Sequence, residues 1–193
     1  MAGAGSAEDA ALLLRDFVNT LDIDSGTEGL ATPDALAGWL AERGLVPAPP
    51  EAGAPDLATA IALREGMRAR MLAHHGPGDP DADDLEGALE DALAALPLRV
   101  TLTGPRPALV PAGSPASAAT GLARLAAAMV DAAAAGTWTR LKVCQEDTCR
   151  WAFLDTSKNR SRSWCSMSTC GNRTKTRAYR ARRRPSPGPS AGS

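Results

Sequence analysis

The sequence predicts an α+β protein: a mostly helical N-terminal domain with one small β-hairpin, followed by a cysteine-based finger built from a knuckle, a β-hairpin and a basic helix. Three observations support this. Alanine and leucine dominate a hydrophobic content of 44%, with only 4% aromatic residues, which favours helices over strands. Around residue 100 the apolar spacing shortens from a helical to an alternating period. All four cysteines fall between residues 144 and 170, in a segment whose charge opposes that of the rest.

Taken in order, residues 10–21 form an amphipathic helix with Leu13, Phe17 and Leu21 recurring every fourth position. Thr32 followed by Pro33 is an N-cap signal, opening a helix through Leu36, Trp39 and Leu40 that Gly44 stops. Residues 47–55 read as a linker, and Asp56 caps the next helix, which runs to about Ala73 with Leu57, Ile61, Met67 and Met71 inward. Residues 74–83 form a loop and 84–96 a short helix. Leu98, Val100 and Leu102 then alternate with Arg99, Thr101 and Thr103, a strand that Gly104-Pro105 turns back along residues 108–110. Residues 114–137 hold the longest helix, with Leu122, Leu125, Met129 and Val130 apolar. The predicted domains are therefore 1–137 and 138–184, with 185–193 a disordered tail of Pro, Ser, Gly and Ala.

Cysteines 144, 149, 165 and 170 are spaced Cys-x4-Cys-x15-Cys-x4-Cys. Two close pairs joined by a chain that folds back suit a tetrahedral Zn²⁺, and four thiolates leave no open coordination position, so one structural zinc is expected at Cys144, Cys149, Cys165 and Cys170. Disulfides and an iron–sulfur cluster are the competing readings; the first needs an oxidising compartment and the second commonly uses other spacings. Trp151, Phe153, Leu154 and Trp164 supply the apolar residues of the finger. Residues 151–154 and 162–165 predict its two strands, with 155–161 the turn between them.

The net charge of −1 is the sum of two unlike parts. Residues 140–184 hold 13 Lys and Arg against three acids, and residues 1–139 hold 8 against 19. After Cys170 a basic helix follows, on which Arg173, Arg177, Arg180 and Arg184 fall at about 0, 40, 340 and 20 degrees, one narrow face. Lys175 and Arg182 lie opposite and Arg183 to one side. Like charges this close repel, and a polyanion relieves them; the planar arginine fork suits phosphate. Arg173, Lys175, Arg177, Arg180, Arg182, Arg183 and Arg184 are the candidate nucleic-acid contacts.

The run from Trp164 through Cys170-Gly171-Asn172-Arg173 to Arg183 resembles the CGNR zinc-finger family, over about residues 138–184. Residues 16–22, Asp-Phe-Val-Asn-Thr-Leu-Asp, are similar to the opening of the ABATE domain that precedes this finger. The resemblance implies a bacterial stress-induced transcription regulator whose treble-clef-like finger binds double-stranded DNA. RNA binding and a zinc-stabilised protein-interaction module remain alternatives, and a homodimer is plausible because one finger offers little area.

In the body, Asp16, Asn19, Thr20 and Asp22 line a pocket or terminate and cap the first helix. Arg64 and Arg68 offer an anion site or, by default, a solvated face, and His74 and His75 read as surface residues. No phosphate loop, nucleophile elbow or paired His/Glu metal motif occurs, which argues against an enzyme. The first residues lack the basic and apolar regions of a secretory signal and no run approaches a membrane span, so a cytoplasmic protein without membrane contact is expected, nucleoid-associated when bound to DNA.

Overall fold

A computed structural model describes residues 7–76, 78–104 and 107–183, so the predicted tail and Arg184 lie outside the described residues. The first helix, α1 (Ala7–Val18), buries Ala11, Leu14, Phe17 and Val18. It ends earlier than its apolar spacing suggests, because the Thr20 hydroxyl donates to Phe17 O at 2.8 Å. Leu21, expected in the helix, instead opens a two-residue strand β1 (Leu21–Asp22) antiparallel to β2 (Thr27–Glu28). The Asp22 carboxylate accepts from the backbone of Asp24 and Ser25, and Gly26 takes φ +72° to close the turn.

The capping signals around α2 (Pro33–Glu42) hold: Thr32 Oγ1 accepts from Ala35 N at 3.1 Å, and Gly44 follows at φ +66°. Helix α3 (Ala54–Ala73) begins beyond Gly53, and Asp56 acts from the third helical position by accepting from Gly53 N. Met67 and Met71 are buried as expected, Leu57 is half-buried, and Ile61 is exposed. Gly66 lets α4 (Ala82–Ala94) lie directly against α3, since a Cβ there would sit 2.5 Å from Leu89 Cβ.

The hairpin forms where the period changes: β3 (Leu98–Thr101) pairs antiparallel with β4 (Ala108–Pro111), in register Leu98 to Pro111. Its alternation does not bury Val100 or Leu102, both of which are exposed. Helix α5 (Ala118–Ala134) is shorter than predicted because Ser117, not Ser114, caps it through Thr120 N; α3 is the longest helix described. A single helical turn, Trp138–Arg140, then leads into β5 (Leu141–Val143), which pairs antiparallel with β6 (Ala152–Leu154).

Leu141, Val143 and Ala152 belong to the same buried cluster as Leu14, Phe17, Leu63 and Leu125. The finger is therefore rooted in the body's core. No helix among the described residues is long and apolar enough to cross a membrane.

Two expectations about polar residues are overturned. Arg64 and Arg68 are not a solvated face: they are 2% and 7% exposed. Arg64 forks onto Glu28 at 2.6 and 2.8 Å and also reaches Glu65. Arg68 pairs with Glu65 and donates to Val18 O, Leu21 O and Arg150 O, satisfying carbonyls of α1, β1 and the finger with one planar fork. His74 and His75, expected at the surface, are half-buried joints between α3 and β5. Nδ1 of His74 lies 2.7 Å from Leu141 O, and Nε2 of His75 lies 2.9 Å from Val143 O. A neutral ring donates in each case.

Removing the Arg68 fork by Arg68→Ala takes the donor from one carbonyl in a buried bond, Val18 O, and from two in part-buried bonds, so urea stability should fall by about 2 kcal/mol. A loss below about 1 kcal/mol would mean that water replaces the guanidinium at no great cost. Burial holds both histidines below their ordinary pKa, so the unfolded chain takes up protons first as pH falls through the usual histidine range. Their contribution is complete above that range and is lost as pH falls. Stability against pH between 7 and 5.5 should slope less steeply in His74→Gln than in the unsubstituted chain; identical slopes would assign the acid sensitivity elsewhere.

Candidate metal centre and basic helix

Strand β5 delivers Cys144, and the chain then turns tightly before returning as β6. Cys149 N and Arg150 N both donate to Glu146 O, Cys144 N donates to Trp151 O at 2.9 Å, and Arg150 adopts φ +50°. The first cysteine pair thus sits at the tip of the β5–β6 hairpin. The second pair flanks one wide helical turn, Met167–Gly171, with Cys165 just before it and Cys170 within it. Ser166 caps that turn through Thr169 N, and helix α6 (Asn172–Arg183) continues from it. Gly171 leaves room for the Met167 side chain, whose exposed end would have to shift to admit a Cβ.

The hairpin is built from different strands than the sequence suggests. Residues 152–154 pair with 141–143, not with 162–165. The segment after β6 instead wraps around Asp155, which is fully buried. Its carboxylate accepts from Lys142 Nζ at 2.7 Å, Ser157 N at 3.0 Å, Ser157 Oγ at 2.6 Å and Arg162 N at 3.0 Å. Burial opposes its ionisation, but these donors outweigh burial and hold the carboxyl well below the usual range. A buried lysine–aspartate pair therefore fixes the path that returns the chain to Cys165.

The four sulfurs lie within 4.8 Å of one another, with Cys149 Sγ 3.6 Å from Cys165 Sγ and Cys165 Sγ 3.7 Å from Cys170 Sγ. A tetrahedron of thiolates at the usual zinc–sulfur distance has edges of about 3.8 Å, so the donor set fits one zinc ion in size and chemistry. No disulfide joins the cysteines. Burial pushes the Cys149 thiol up to about 12, and burial with the nearby Cys144 pushes Cys165 up as well. Four thiols held this close resist ionising together, and a divalent cation reverses that balance. Trp164 packs against the sulfurs as expected, whereas Trp151 is exposed.

Residues 140–183 match the family model of the CGNR zinc finger, and residues 11–136 match that of ABATE, described as "Putative stress-induced transcription regulator". The chain belongs to the ABATE family. No curated protein matches it.

The CGNR motif itself spans the junction of metal and helix. Cys170 is a ligand, Gly171 admits Met167, and Asn172 Nδ2 donates to Ser168 O at 3.0 Å. Arg173 reaches both Asp24 of the ABATE domain, at 3.0 Å, and Thr148 of the knuckle, at 3.1 Å. Sequence reasoning missed Glu146, which lies fully buried beneath the helix. It accepts from Thr148, Thr174 and Arg177, bolting the knuckle to α6; burial resists its charge, but Thr174 and Arg177 hold the carboxyl below its ordinary range. A glutamate between two cysteines carries no local signal for such a role.

Of the arginines predicted on one face, Arg173, Arg177 and Arg180 line one open groove of about 540 Å³ together with Ser168, Thr169 and Thr176. Arg173 and Arg177 also spend donors on carboxylates, whereas Lys175 and Arg180 are exposed with no ion-pair partner among the described residues. Arg182 and Arg183 lie on α6, but their side chains are outside the described residues, as is Arg184.

The polar cluster at and beyond the end of α1 separates into individual tasks. Asp16 pairs with Arg15 and Arg43, Thr20 closes the helix, and Asp22 shapes the β1–β2 turn. Asn19 does something neither reading anticipated: its amide accepts from Ala152 N at 2.8 Å and donates to Ala152 O at 2.9 Å. Asp16 and Asn19 also line a cleft of about 560 Å³ between α1 and β6, with Trp151 and Arg162 on the finger side.

Because no fifth His, Cys, Asp or Glu joins the four thiols among the described residues, Cys165→Ser should leave far less than one zinc per chain after dialysis, measured by atomic emission. Full retention of zinc would remove Cys165 from the ligand set.

Proposed function

We propose that this chain is a zinc-dependent, non-catalytic DNA-binding transcription regulator in which α6 contacts duplex DNA and the ABATE domain senses a signal or mediates dimerisation. The observation that carries the reading is the groove in which Arg173, Arg177 and Arg180 meet the hydroxyls of Ser168, Thr169 and Thr176. Such a surface offers forked charge-assisted donors and neutral donors together, the combination that binds phosphate oxygens. It lies in the segment whose net charge is +10. Zinc supplies the fold of the finger when bound. Glu146 and Asp24 then fix the aim of Arg177 and Arg173, leaving Lys175 and Arg180 free to engage phosphates or base edges.

A second reading draws support from the Arg173–Asp24 pair, which shows the basic helix meeting an acid of its own body. A protein-interaction module would use the helix in this way, toward acidic partners.

The test is a fluorescence-anisotropy titration of the zinc-loaded chain against random duplex DNA and single-stranded RNA at two salt concentrations. The DNA reading expects duplex preference and an affinity that falls steeply with salt. Arg180→Ala should weaken binding and reduce the salt slope by about one, with zinc content unchanged. Preference for RNA would favour an RNA-binding protein, and binding to neither would favour the protein-interaction module.

A further inference from the structure

Helix α4 lies against α3, with Gly66 allowing Leu89 into direct contact, and so leaves an open groove toward α5. Its volume is about 430 Å³, within the range of small-molecule sites. Leu89 is buried beneath it, while Leu93, Met129 and Trp138 are only half-buried. Val130, a branched apolar residue, remains 48% exposed at its edge. The groove is thus an apolar surface that this chain leaves partly uncovered among its described residues.

Its charged lining carries one net negative charge: Glu86 and Glu90 of α4 are acidic and Arg70 of α3 is basic. Among the described residues lining the groove, Arg70 is the single base, and Glu86 engages it at 2.7 Å. Glu90 lines the same groove with no ion-pair partner among the described residues. Glu90 is exposed at the rim, so a neutral occupant gains nothing from its carboxylate, a cation gains an ion pair and an anion is repelled. A cation with apolar bulk satisfies the walls and the carboxylate together, and the Trp138 ring adds attraction for positive charge.

We propose that the α4–α5 groove is a binding site for a lipophilic organic cation. The site stands whether or not α6 binds DNA. Its position also links it to the finger: Trp138 belongs to the helical turn that leads into β5. The Trp138 ring meets His74 edge-on at 5.3 Å, and His74 holds Leu141 O. An occupant against Trp138 is therefore two contacts from the strand that delivers Cys144.

Tetraphenylphosphonium and tetraphenylborate, ions of one shape and opposite charge, test the site on the full zinc-loaded chain by calorimetry and tryptophan fluorescence. The expected result is saturable binding of one phosphonium per chain and binding of the borate weaker by about tenfold or more. Glu90→Gln should weaken the phosphonium by about tenfold and leave the borate no worse. Val130→Lys, at an exposed position, should abolish phosphonium binding with circular dichroism and zinc content unchanged. Equal binding of the two ions, or phosphonium binding unaltered in both variants, would overturn the proposal.

Discussion

Two three-residue strands, Leu141–Val143 and Ala152–Leu154, carry the body's core and the first two zinc ligands at once. A two-stranded hairpin of this length has little stability of its own in water. Here one end of it is buried among α1, α3 and α5 residues and the other is closed by metal. The core fixes where Cys144 and Cys149 point, and zinc binding free energy then becomes folding free energy for the less apolar chain that follows. Asn19, Arg68, His74 and His75 all bond to the backbone of this hairpin or its tip, so the body grips it from the end of α1 and from α3.

The electrostatic asymmetry of the chain has a structural expression at the finger. The basic helix does not simply project away from an acidic body. Arg177 closes over the buried Glu146, and Arg173 bridges Thr148 and Asp24, so part of the positive charge organises the helix against the metal knuckle. Lys175 and Arg180 stay hydrated at the surface. Charges that hold a helix in place and charges left at the surface thus share one short sequence, and spacing alone does not separate them.

What was legible in the sequence was local. The cysteine spacing, Thr32-Pro33, Gly44 and the alternation near residue 100 each depend on residues a few positions apart, and the structure follows them. What was not legible depended on distant partners. Arg64 and Arg68 have the spacing of an exposed helix face, and only Glu28, Glu65 and the carbonyls of α1 and the knuckle reveal them as buried. The finger's hairpin was placed one strand too late for a similar reason. Residues 151–154 have strand character, but their partner is decided by the body's need to bury Leu141 and Val143.

The amide of Asn19 also covers part of an open sheet edge. Strand β6 is an edge strand, and an edge with open backbone groups is a template for pairing with another copy. By meeting both the N–H and the carbonyl of Ala152, Asn19 stands in for a third strand using one side chain. It lies 133 residues ahead of the position it covers. During synthesis the cover therefore leaves the ribosome long before the edge it must shield, and the vulnerable strand emerges into a chain already able to close it.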